Sequence, residues 1–267
     1  MLTRAQTDAR TLGAAGDADT AHRALGSPEG APPAVPWDLE HFGGADRLAD
    51  YVFAELAPYV RGDVIEVGAG IGTFSRRILG EDVRSLLTVE PEPACAAELE
   101  RRLDGDARAR NIRELLPESP TLQEARGTAD HVICQNMLEH IEDDRSSVEA
   151  MASALRPGGH LSILVPAHPR LYGELDRSYG HYRRYTRAEL VALLDDAGLK
   201  TERLYAFNAL GIIGWMVQNR RAEPRVSPTS LRAYEAILRV WGPLERRLRL
   251  PFGLSVIAHA RRAQPRS

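Results

Sequence analysis

Glu66, Gly68, Gly70 and Gly72, followed by Glu90 18 residues after the last glycine, are the residues whose types and spacing could do chemistry. Glycine has no Cβ, so a glycine-rich turn can bend tightly and let a ligand approach its backbone. A helix that starts directly after such a turn offers free N–H groups to that ligand. Glu90 closes a short apolar run, 86–89. A carboxylate there could accept two hydrogen bonds from the cis-diol of a ribose and would repel a 2′-phosphate. The constellation therefore suits an adenosine-type ligand without that phosphate.

These residues need particular elements beneath them. The β-branched run 64–67 reads as a buried strand carrying one acid, Glu66, and 74–79 reads as the helix after the turn. Strand, glycine turn and helix form the opening unit of a nucleotide-binding α/β sheet. Further strands are expected at 86–89, 129–134, 161–166, 199–207 and 253–260, with the third strand of the sheet poorly marked. Helices are expected at about 46–59, 147–155 and 231–248. Pro157-Gly158-Gly159 should make a tight turn before the strand at 161. Thr186 reads as an N-cap with Glu189 as its capping-box partner, and Gly198 as the stop of that helix.

Two cofactors fit the glycine loop, NAD and S-adenosylmethionine. The loop reads Glu-x-Gly-x-Gly-x-Gly rather than Gly-x-Gly-x-x-Gly, and Glu66 suits a cationic amino-acid ligand better than a pyrophosphate. Glu92, close after Glu90 and Pro91, adds negative charge where a dinucleotide would bring its own. Here the chain resembles the class I S-adenosylmethionine-dependent methyltransferases. The stretch from Gln135 through Leu138-Glu139-His140-Ile141 and the Leu-Arg-Pro-Gly-Gly turn at 155–159 follow in the order of that family. The resemblance implies a Rossmann-like, doubly wound, seven-stranded, mostly parallel sheet whose antiparallel last strand slots in beside the fifth. It implies that Glu66, Gly68, Gly70 and Gly72 surround the amino-acid end of S-adenosylmethionine, that Glu90 binds its ribose, and that Gln135 and Asn136 lie near its methionine moiety. Phe74 and Pro91 flank these motifs and join the expected cofactor set. Residues near 114–116 would meet the adenine. His41-Phe42 and Arg47 resemble an entry segment of some such enzymes; Arg47 could pair with the cofactor's carboxylate or be a surface helix arginine.

The segment 166–186 concentrates His, Tyr, Arg and Asp, and long ordered loops at a ligand edge are often functional. His140, His168 or His181 could take a proton from the acceptor as it is methylated. Arg183 and Arg184 could hold a carboxylate or phosphate, and Tyr172, Tyr182 and Tyr185 could wall an aromatic pocket. The bland alternative is an ion pair between Asp176 and Arg183 or Arg184 that folds the loop. Methyl transfer also proceeds without a base when the nucleophile is held in line about 3 Å from the methyl.

Composition limits the rest. The net charge of −3 gives no basic field for nucleic acid, and 43% hydrophobic residues supply a sizeable core. Cys95 and Cys134 show no metal or disulfide spacing, and no metal is expected. Residues 1–36 read as a flexible segment ahead of one domain, 37–267, with its core at about 60–207 and a helical addition and last strand at about 208–262. The apolar run 209–217 is too short to span a membrane but could touch one. The expectation is a cytoplasmic methyltransferase, monomer or homodimer, acting on a small molecule of natural-product or envelope biosynthesis and leaving S-adenosylhomocysteine. The alternatives are an NAD-dependent oxidoreductase and a cofactor-binding scaffold without turnover.

Overall fold

The computed structural model describes residues 43–220 and 226–264. The readings placed on residues 1–36 and on His41 and Phe42 lie outside them.

The strands are β1 (Gly62–Val67), β2 (Val83–Val89), β3 (Ala109–Ile112), β4 (Ala129–Gln135), β5 (Leu155–Pro166), β6 (Leu199–Phe207) and β7 (Ser255–Arg262). They form one seven-stranded sheet in the order β3-β2-β1-β4-β5-β7-β6. β1 pairs in parallel with both β2 and β4, and β7 runs antiparallel between β5 and β6. The sheet thus winds outward in both directions from the β1–β4 pair. The crevice beyond the carboxyl ends of those two strands is where such a sheet binds ligands. All seven residues of β4 are buried, the pattern of a central strand covered on both faces.

The helices are α1 (Asp46–Leu56), α2 (Ser75–Ile78), α3 (Pro93–Leu103), α4 (Pro120–Glu124), α5 (Asp144–Ala154), α6 (Glu174–Ser178), α7 (Arg187–Asp196), α8 (Ala209–Gln218) and α9 (Pro228–Leu248). α1 buries Ala49, Val52, Phe53 and Leu56, a helical spacing that turns one stripe to the core. α7 begins at the expected capping box: Thr186 Oγ1 accepts from the Glu189 N–H at 3.2 Å, and Glu189 Oε2 accepts from the Thr186 N–H at 2.7 Å. The helix after the glycine loop is shorter than expected, one turn from Ser75.

Two local differences have clear causes. The Pro-Gly-Gly turn is absorbed into β5: Ala129 pairs with Leu155 and His131 with His160, so the extra residues of β5 bulge out of the ladder. At Gly159 a Cβ would stand 2.9 Å from the Ala129 carbonyl oxygen, so glycine is needed for the backbones to approach. The long segment after β5 is not an irregular loop. It holds a 3-10 turn at Pro169–Leu171, then α6, and a bridge from Ala167 to Tyr185. In α9, Ile237, Val240, Leu244 and Leu248 form an exposed apolar stripe.

Candidate functional site

β1 delivers Glu66 to the crevice fully buried, with Ser75 Oγ donating to its Oε2 at 2.5 Å. Burial pushes the Glu66 carboxyl up to about 8, against the pull of the bonds from Ser75 and Gln135. Its other oxygen, Oε1, is buried without a hydrogen-bond partner, and so is Gln135 Oε1 at the end of β4. Two orphaned acceptors at neighbouring strand ends fit a cationic donor such as an α-ammonium group. Glu90, at the end of β2, is 6% exposed; Oε2 accepts from the Gly70 N–H at 2.7 Å and Oε1 from the Glu92 N–H at 3.0 Å. Burial raises its carboxyl, and both backbone bonds counteract that. Each oxygen keeps a second lone pair for a ribose hydroxyl.

The glycines are required by the protein's own packing as well. Gly68 has φ +75, and a Cβ there would collide with the Met137 side chain; Gly72 has φ +82, and its Cβ would lie 2.7 Å from Leu99 Cδ1. Met137 follows Asn136, whose left-handed φ of 46° swings the chain over the glycine loop. Phe74 is half-buried and packs against the core cluster that holds Phe53, Leu56 and Val64. Pro91 is exposed at the lip after Glu90. Arg47 is an exposed helix residue whose backbone N–H is held by Glu235 of α9. In the stretch near 114–116, Glu114 is spent on α4, accepting from Ser119 Oγ, the Thr121 N–H and Thr121 Oγ1, while Leu115 is 68% exposed.

Beyond β4 a 3-10 turn (Leu138–His140) carries Glu139 and His140. The segment after β5 is strapped onto it: the Tyr182 N–H donates to the Glu139 carbonyl at 2.8 Å. At the centre of the strap is Asp176, fully buried. It accepts from Arg184 Nε at 2.7 Å, from the Gly173 N–H at 3.0 Å, and pairs with His181 Nδ1 at 3.0 Å. Burial alone would raise the Asp176 carboxyl; the His181 bond and the Arg184 charge outweigh it and hold the group below the usual carboxylate range. His181 and His140 meet edge to face, ring centroids 4.7 Å apart. His168 does not join this pair; it stands exposed past the end of β5.

Four of the five expected acceptor-binding residues make hydrogen bonds within the protein. Arg184 is enclosed, bonded to Asp176 and the Ala167 carbonyl with its guanidinium 4.4 Å over the Trp215 ring. This is the ion pair foreseen as the bland alternative. Arg183 holds Asp144 and the Glu142 carbonyl. Tyr185 is 2% exposed, its hydroxyl donating to Asp144 Oδ2 at 2.9 Å. Tyr172 is tied to the His181 carbonyl, and Tyr182, 47% exposed, is the tyrosine left facing outward. Sequence reasoning passed over Glu139 and Ser75. Glu139 lay inside a family motif that drew attention to its neighbour His140, and Ser75 is an ordinary helix-start residue by type.

Fold and crevice together define a class: an α/β protein of the Rossmann-like kind with a ligand crevice beyond the carboxyl ends of β1 and β4. The chain belongs to the methyltransferase-domain family, which it matches over residues 41–204, and it is an S-adenosylmethionine-dependent methyltransferase. It is 31% identical over 171 residues to the ubiquinone biosynthesis O-methyltransferase of Xanthomonas axonopodis pv. citri, covering 57% of this chain and 68% of that one. The S-adenosylmethionine-dependent methyltransferase of Mesorhizobium loti superposes with a TM-score of 0.59 at 17% identity, over 82% of this chain and 100% of that one. The 1,6-didemethyltoxoflavin N1-methyltransferase of Burkholderia thailandensis, solved with its substrate and S-adenosylhomocysteine, gives 0.53 at 19% identity, over 85% and 82%. Among the described residues no helix is long and apolar enough to cross a membrane.

Proposed function

We propose that this methyltransferase moves the methyl of S-adenosylmethionine to a hydroxyl oxygen of a small molecule in natural-product or envelope biosynthesis, leaving S-adenosylhomocysteine. The observation that carries the reading is the pair of orphaned acceptors, Glu66 Oε1 and Gln135 Oε1, beside a glycine loop bonded to Glu90. They would hold the cofactor's ammonium, Glu90 its ribose, and the backbone of 68–72 its amino-acid end. Asn136 and Met137 would then lie between cofactor and acceptor, with His140 and His181 on the acceptor side. Asp176 takes the Nδ1–H of His181, which leaves Nε2 basic and able to receive the hydroxyl proton. Oxygen is favoured over nitrogen or carbon because the relatives are O-methyltransferases and a hydroxyl is the acceptor that most needs its proton removed. We place the enzyme in the cytoplasm as a monomer or homodimer.

The test is calorimetric titration with S-adenosylhomocysteine, with NADH as control, followed by acceptor screening with labelled methyl groups. Glu90→Ala should weaken cofactor binding by roughly 1.5–3 kcal/mol, the worth of hydrogen bonds to a charged group. Unchanged affinity in that variant would remove Glu90 from the site. Binding of NADH alone would restore the oxidoreductase reading, and binding without turnover across the panel would favour a scaffold.

A further inference from the structure

Glu139 is 1% exposed, and its Oε2 is buried without a hydrogen-bond partner. A buried carboxylate left half-satisfied is costly and calls for a cation or donor in the finished site. Ligand-capable atoms of Glu139, His140 and His181 all lie within 4.8 Å of one another. A divalent ion with bonds of about 2.0–2.2 Å draws its ligands to within about 3.5 Å of each other, so modest side-chain rotations would close the set. His181 is already prepared for such a role. Its Nδ1 is bonded to Asp176 Oδ1, the carboxylate–histidine arrangement that orients a metal-binding imidazole and leaves Nε2 to ligate. Asp176 is itself fixed by Arg184 and the Gly173 N–H. The Tyr182 N–H to Glu139 carbonyl bond pins the two contributing segments together.

We propose that Glu139, His140 and His181 form a binding site for a divalent transition-metal ion, with Asp176 as the residue that positions His181. Two imidazoles and one carboxylate suit zinc, iron, cobalt or manganese better than magnesium, which prefers oxygen ligands alone. Three protein ligands leave coordination positions open. On the functional reading above, on which this role rests, those positions face the acceptor, and the ion lowers the pKa of the bound hydroxyl, so that its proton passes to solvent water before the oxygen bonds to the methyl and the methyl–sulfur bond breaks to leave S-adenosylhomocysteine. Imidazoles that ligate the ion do not then act as the base.

The experiment is titration of the metal-stripped full chain with Zn²⁺ and Co²⁺, with Mg²⁺ as the control. S-Adenosylhomocysteine binding is measured in parallel on every variant to show an intact fold. One equivalent of Zn²⁺ or Co²⁺ should bind, Co²⁺ giving visible absorption bands of nitrogen–oxygen ligation. His140→Ala, His181→Ala and Glu139→Gln should each weaken the ion at least tenfold while cofactor binding survives. Asp176→Asn should weaken it about 10–100-fold, as loss of an orienting partner does. No saturable binding, or binding indifferent to these substitutions, would overturn the site. Full turnover by protein shown to be metal-free would overturn the ion's role and leave methyl transfer standing. Failure of the unaltered chain to bind S-adenosylhomocysteine would instead sink the functional reading.

Discussion

Binding of the cofactor should expel a proton from Glu66. Burial holds the carboxyl at about 8, so at pH 7 about nine-tenths of the free protein carries it neutral. An ammonium group placed against Oε1 favours the ionised form and drives that proton out. A free α-amino group is itself about nine-tenths protonated at pH 7, so completing its charge takes back about 0.1 proton. Net release should be about 0.8 proton per S-adenosylhomocysteine. Ionising Glu66 at pH 7 costs about 1.4 kcal/mol, and the affinity should tighten nearly tenfold from pH 6 to pH 7.

Glu66→Gln keeps an acceptor for Ser75 Oγ and removes the ionisation. It forfeits roughly 1.5–3 kcal/mol of charge-assisted bonding but also avoids the cost of about 1.4 kcal/mol. The affinity should therefore fall by no more than about 15-fold. Proton count is the sharper readout. Calorimetry at pH 7 in phosphate, HEPES and Tris separates buffer ionisation heat from binding heat. Identical enthalpies in all three buffers for the unaltered protein, or a release that persists in Glu66→Gln, would refute the argument.

Asp176→Ala strands the enclosed Arg184 guanidinium and should cost about 3–5 kcal/mol, seen as a large fall in the urea midpoint. Gly68→Ala should destabilise the fold and block the crevice, because its Cβ meets Met137; Met137→Ala should restore part of the stability but not the part lost to the positive φ. Stability should also fall in acid. His131 and His259 are fully buried in a chain through Ser162 and are pushed down to about 3 by burial, so they stay neutral when folded while the unfolded chain takes up protons. Their contribution is present above the unfolded value near 6.5 and is lost toward pH 3, by up to about 1.4 kcal/mol per pH unit for each. Glu66 and Glu139, both raised to about 8 by burial, act oppositely between pH 4.5 and 8. Between pH 4.5 and 6.5 the two pairs nearly cancel, so urea titrations from pH 3 to 9 should show a plateau there with stability falling on both sides, and a profile that stays flat below pH 4.5 would contradict the histidine burial.

Local features of the chain carried much of the outcome. The buried run carrying Glu66, the run closed by Glu90, the Thr186 capping box and the glycine loop depend on neighbours a few residues away, so type and spacing were enough to place them. The doubly wound order and the antiparallel last strand came through resemblance to a family, not through periodicity. Side-chain fate was decided by tertiary structure. Tyr185 carries a functional-looking type, yet burial assigned it to the core. Arg184 could not be told from a ligand-binding arginine until Asp176 and Trp215 enclosed it. The meeting of Glu139 and His140 with His181 joins two segments about 40 residues apart through the strap after β5. Spacing along a chain reports periodicity within one element; which distant side chains share a buried volume depends on how the elements pack, and that is settled only when the whole sheet and its strap are in place.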